Sequence, residues 1–120
     1  MQFILNIGLD VKATSTLATH VVKQIVNTYD FVVEQETLLQ SDTEPTLVLK
    51  VISLNGPTLT LQGFYGIATD LGQDCIAVYR PQQGNGALIG PRAAKWGSFN
   101  PAYFFNLDGT RLAQPVQDAA

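Results

Sequence analysis

What most constrains the fold is how the spacing of apolar residues changes along the first 80 positions. Over residues 2–11, Phe3, Leu5, Ile7 and Leu9 alternate with Gln2, Asn6 and Gly8. A two-residue period is that of a strand with one buried face. Ile4, which interrupts the polar side, marks a strand central in its sheet. The period then lengthens. After the hydroxyl-rich cluster Ala13-Thr14-Ser15-Thr16, suited to capping a helix, Leu17, Val21 and Ile25 recur every fourth residue, with Ala18, Val22 and Val26 beside them. That spacing gives one broad apolar face on a helix ending near Tyr29. Its β-branched content is high, so tertiary packing has to hold it.

The pattern then repeats with one extra strand. Residues 31–39 read as a strand whose polar Glu34, Gln35, Glu36 and Thr37 place it at an exposed edge. Residues 41–45 form a polar turn closed by Pro45. Residues 46–54, rich in Val, Ile and Leu, read as a central strand. Asn55-Gly56-Pro57-Thr58 breaks the chain, with Pro57 at or near the first turn of a second helix. Over residues 59–71, Leu59, Gly63, Ile67 and Leu71 share a helical face with Phe64 and Ala68. Gly63 and Gly66 oppose that helix by about 1 kcal/mol each relative to alanine. Early alternation at Leu59 and Leu61 also allows a short strand there. The helix is preferred, closed by Gly72, and residues 75–80 form the fourth strand.

The order β-α-β-β-α-β is that of a ferredoxin-like α+β sandwich: a four-stranded antiparallel sheet with both helices on one face. Its other face needs a cover, which a partner chain, a ligand or the residues after Arg80 could provide. The alternative is an α+β domain with a more strongly curved sheet of five or six strands, or a half-barrel, should 59–71 not be helical. In the C-terminal extension, residues 81–86 form a turn-rich loop and Ala87-Leu88-Ile89 returns as a fifth strand. Asn100-Pro101 starts a short helix through Phe104, and Asp108-Gly109 is a turn. Residues 1–112 form one domain, and residues 113–120 are a flexible tail.

Composition limits the class. An apolar fraction of 46% with 14% charged residues fits a folded domain, and 120 residues suffice for a core without disulfides or metal. A net charge of −3 and an acidic isoelectric point weigh against non-specific nucleic-acid binding. The single Cys75 has no internal disulfide partner. The N-terminus carries no basic region of the kind that opens a signal peptide, and no apolar run reaches membrane-spanning length. The expected compartment is the cytoplasm, with no membrane association and no cofactor.

Charge is segregated. Residues 1–79 carry three basic and eight acidic side chains, whereas residues 80–111 carry Arg80, Arg92, Lys95 and Arg111 against Asp108 alone. The same stretch holds Trp96, Tyr103 and half of the six Phe residues. Arg and Trp are frequent binding hot spots. One reading is a basic, aromatic surface for a small anionic ligand or an acidic protein partner. The other is an extension whose aromatics plug the second sheet face while its cations pair with the acidic half.

The remaining constellations carry less. Gly84, Gly86 and Gly90 lack the strand–glycine–helix setting of a phosphate-binding loop and fit a β-hairpin. His20 and Cys75 would have to be adjacent to act as a nucleophile pair. His20 reads instead as flanking the first helix's apolar stripe, and Cys75 as a small buried hydrophobe. Zinc binding has too few ligands. Glu34 and Glu36 share one face of a regular strand, with Asp42 and Glu44 in the next turn. They could hold a divalent cation or do acid–base work, but on an edge strand they read as a solvated border. No catalytic or metal site is assigned.

The runs Gln73-Asp74-Cys75-Ile76-Ala77-Val78 and Leu88-Ile89-Gly90-Pro91-Arg92-Ala93-Ala94-Lys95-Trp96-Gly97 resemble uncharacterised small bacterial proteins of mobile genes, such as plasmid, phage and integron-cassette reading frames. The resemblance covers roughly the C-terminal third. It implies a bacterial or mobile-element origin and an accessory role, with no chemistry to transfer.

Three function classes follow. The first is a non-enzymatic interaction module acting through Arg80, Arg92, Lys95, Trp96 and Arg111. The second is a small-molecule binder or enzyme using the open sheet face of a ferredoxin-like homodimer, with Tyr65, Tyr79, Arg80 and Tyr103 as candidate contacts. The third, nucleic-acid binding through the basic C-terminal stretch, is disfavoured by net charge.

Overall fold

A computed structural model describes the chain at residues 2–9, 15–40, 45–53, 57–94 and 105–110. Strand β1 (Gln2–Gly8) leads to helix α1 (Ser15–Thr28), then β2 (Phe31–Leu39), β3 (Thr46–Ser53), helix α2 (Pro57–Asp70), β4 (Ile76–Arg80), β5 (Asn85–Gly90) and the two-residue β6 (Ala93–Ala94). The protein is α+β, with one six-stranded sheet in the order β2-β3-β1-β4-β5-β6 and every neighbouring pair antiparallel. Each helix connects two strands that lie one strand apart in the sheet. The expected four-stranded sheet is therefore extended on its β4 side. The added strands come from residues 85–94, not from the start of 59–71, which is helical. The short helix expected at 101–104 and the tail at 113–120 lie outside the described residues.

The alternation of β1 decides where the core lies. Phe3, Leu5 and Ile7 face the same side as Leu47, Leu49 and Val51 of β3, Ile76 and Val78 of β4, and Ala87 and Ile89 of β5. Ala18, Val21 and Ile25 of α1 and Phe64, Ile67 and Ala68 of α2 join them in a single buried cluster, so both helices cover this face. Aromatic rings anchor its centre. Phe64 stacks on Phe31, with centroids 5.3 Å apart and planes 4° from parallel, and meets Phe3 edge-on at 4.9 Å.

The two glycines that weaken α2 as an isolated helix make room for this packing. A Cβ at Gly63 would lie 3.4 Å from the Phe31 ring, and one at Gly66 would lie 2.8 Å from the Tyr29 hydroxyl. Tyr29, just past α1, thus crosses α2 closely and donates to Asp70 Oδ2 at 2.5 Å. Burial, then the hydrogen bond to Asp70 and its negative charge, push the Tyr29 hydroxyl up from 10.0 to about 12. Gly72 adopts φ +70° and closes α2. Its N–H bonds the Thr69 carbonyl at 3.0 Å, and that of Gln73 bonds the Ala68 carbonyl at 2.8 Å, the paired bonds of a Schellman cap.

Strand β2 departs from regularity. Its register to β3 slips between Val33 and Gln35, leaving Glu34 as the extra residue of a β-bulge. Phe31 and Val33 before the bulge and Leu38 after it all pack against the helix-side core.

Candidate functional site

The sheet's second face is built from the other half of each alternation. Strand register sets Thr37, Val48, Asn6, Ala77 and Leu88 in one row across it, and Gln35, Lys50, Ile4, Tyr79 and Gly86 in the next. In the first row Val48, Asn6 and Ala77 are almost wholly buried, at 0%, 4% and 3% exposure. In the second, Ile4, Lys50 and Tyr79 are half-buried. Tyr79 and Leu88 pack on Ala77 as a small apolar cluster of their own.

Part of the cover over this face is the C-terminal segment 105–110. The Phe105 backbone N–H donates to Asn6 Oδ1 at 2.5 Å. A Cβ at Gly109 would lie 3.3 Å from Leu39, whose place in β2 is also on this side. The segment is itself a tight turn. The Gly109 N–H bonds the Asn106 carbonyl, and Gly109 takes φ +95°. Asp108 Oδ1 accepts from both the backbone N–H and the hydroxyl of Thr110, which holds the Asp108 carboxyl below its usual range. Asp108-Gly109 thus forms the expected turn.

Asn6 is the anomaly of this face. Its Oδ1 must accept from Phe105, which fixes the orientation of the amide, since a flipped amide would set donor against donor. The Nδ2 group is then buried and has no hydrogen-bond partner among the described residues. An unsatisfied buried donor costs about 1–3 kcal/mol, and each such group in a folded protein calls for an explanation.

Among the described residues, the charged and aromatic side chains singled out in the sequence lie apart: Arg80, Arg92, Tyr65 and Tyr79 do not share one site. Arg80 and Arg92 sit at opposite ends of the β4–β5 hairpin, roughly 16 Å apart at 3.3 Å per strand residue. Arg80 is half-buried, its Nε donates to Asn85 Oδ1 at 2.8 Å, and burial lowers its guanidinium from the ordinary value. Arg92 is exposed and lies 3.6 Å from Asp74. Its backbone N–H bonds the Asp74 carbonyl, and a Cβ at Gly90 would lie 2.5 Å from that same oxygen, so only glycine allows this close crossing. Tyr65 is exposed on α2, whereas Tyr79 lies on the second face. Lys95, Trp96, Tyr103 and Arg111 fall outside the described residues.

Two expectations are corrected. Glu34 and Glu36 do not share a face. The bulge sends Glu36 to the helix side, while Glu34 accepts a 3.0 Å bond from Gln2 Nε2. Cys75 is half-buried, not a fully buried hydrophobe, and His20 is exposed on α1. Residues after Arg80 add to the second face, β5 by extending it and the 105–110 turn by lying across part of it. Among the described residues, no three His, Cys, Asp or Glu side chains are grouped to hold a metal ion, and no helix is long and apolar enough to cross a membrane.

Sequence reasoning missed Asn6 and Lys50. The available signal was a lone amide and a lone cation, each inside an otherwise apolar strand. No protein-family model matches the chain, and neither a curated protein nor a solved structure matches it.

Proposed function

We propose that the protein is a non-enzymatic binding module whose working surface is the second sheet face together with the C-terminal segment that crosses it. The observation that carries this reading is the buried Asn6 amide, held at one end by Phe105 and unpaired at the other. A donor kept unsatisfied in the middle of a sheet is a stability cost that a bound acceptor offsets. The order β2-β3-β1-β4 with two helices on one face supports a ferredoxin-like classification, with β5 and β6 as an addition at one side. The resemblance to proteins of mobile genes supports an accessory role in a bacterial cytoplasm.

A thermal-shift screen of metabolites on the wild-type protein and on Asn6→Leu tests the reading. The expected outcome is at least one compound that stabilises the wild type and not the variant. A ligand at a hundred times its Kd raises stability by about 2.7 kcal/mol. If no compound stabilises the wild type, the reading fails.

A second reading, capture of an acidic protein partner, is favoured by the exposure of Arg92, whose side chain is 78% accessible. Arg92→Ala and Trp96→Ala would then abolish capture while moving the melting temperature little, because an exposed ion pair contributes about 0–1 kcal/mol. A large loss of stability in Trp96→Ala would instead assign that ring to the fold.

A further inference from the structure

We propose that the second face binds a small organic carboxylate with an apolar body, taken by Asn6 Nδ2 and the Lys50 ammonium beside the Tyr79 hydroxyl. This inference rests on the reading of the second face as the working surface and names the class of ligand.

Register fixes the geometry. Lys50 and Tyr79 flank Ile4 on the two neighbouring strands, and Asn6 is the next residue of β1 on the same side. Directly opposed residues stand about 4.5–5.5 Å apart at Cβ, and successive rows about 7 Å apart. Three polar groups from three adjacent strands therefore border one patch whose floor is Ile4. Two of them, the amide and the ammonium, can only donate, so they call for an acceptor, and the ammonium favours one that is negatively charged. Lys50 pairs with no carboxylate among the described residues. Glu34, the acidic side chain nearest in register, is engaged by Gln2.

The surroundings narrow the class. One cation and no arginine on these two rows fit a single negative charge better than a phosphate dianion, for which clustered or forked cations are usual. The apolar cluster of Ala77, Tyr79 and Leu88 extends away from the polar groups on the β4–β5 side and offers an aromatic or aliphatic body a surface to lie on. Ile4, Lys50 and Tyr79 are half-buried and Gln35 beside them is exposed, so approach is along this row toward the buried Asn6.

The test is a titration of the full-length, nitrogen-15-labelled protein followed by amide NMR, with benzoate, its neutral analogue benzamide, and benzylammonium as probes. Benzoate is expected to shift the Asn6 side-chain amide and the backbone signals of Ile4 and Tyr79 saturably, with an affinity about tenfold above that of benzamide. Lys50→Met is expected to lower benzoate affinity about tenfold and leave that of benzamide unchanged, a split that general unfolding would not produce. The proposal is overturned if benzoate and benzamide bind alike and Lys50→Met affects neither. If benzamide or benzylammonium shifts these signals and benzoate does not, the carboxylate assignment falls while the face remains a binding surface. If none of the three shifts them, the assignment and the reading beneath it fall together.

Discussion

On the helix side of the sheet β1 to β5 contribute aliphatic or aromatic side chains, and two helices close over them. On the opposite side the same strands contribute an amide, a lysine, a tyrosine and a few small apolar groups, partly covered by a single turn of chain. Among the described residues, the first face has no polar side chain in its buried cluster, whereas the second buries Asn6 and leaves its Nδ2 unpaired. On the proposed reading the two faces divide the work, with stability concentrated on the helix side and recognition on the side that carries the unsatisfied donor.

The largest test of that contrast is Phe64→Ala. Phe64 joins the Phe31 and Phe3 rings beneath α2, and its removal should destabilise the protein by about 3–5 kcal/mol in a denaturant titration. A loss below about 1 kcal/mol would mean that the helix side is not the main source of stability.

Tyr29→Phe probes the clasp between the helices and should cost about 1 kcal/mol near neutral pH. Its signature lies in alkali. The fold favours the protonated hydroxyl, so the contribution is complete below pH 10.0 and is lost as pH rises toward about 12. Melting temperature should fall over that interval in the wild type, and the fall should be shallower in the phenylalanine variant.

The smallest change should come from Asn6→Leu. It removes the acceptor for Phe105 but also the unpaired donor, and these oppose each other, leaving stability within about 1 kcal/mol of wild type. A loss comparable to Phe64→Ala would erase the distinction between the faces.

Much of the architecture was legible in the sequence because it depends on local period. The bounds of β2, the proline that opens α2 and the glycine that closes it all follow from neighbouring residues. The roles of Gly63 and Gly66 were not legible. They appear as penalties along the chain, and only the fold shows that Phe31 packs at contact distance over Gly63 and the Tyr29 hydroxyl closely over Gly66. Strand β6, two alanines long, has no period to read. The candidate site was hidden for the same reason. Nothing near Asn6 in sequence says that Val48, Ala77 and Phe105 will bury it, since all three lie more than 40 residues away. The paired-carboxylate reading of Glu34 and Glu36 failed because alternation was counted through a bulge.

That bulge reconciles chain length with composition in β2. Phe31 and Leu38 are separated by an odd number of positions, so a regular ladder would turn them to opposite sides of the sheet. The bulge absorbs the surplus residue and so keeps Leu38 opposite Leu47 on the helix side. Deleting Glu34 would restore an uninterrupted ladder with β3 in which every later residue keeps its partner and its face, Leu38 toward the helices and Thr37 away from them. Such a deletion removes the local bend and the bond from Gln2, not the phase of the strand.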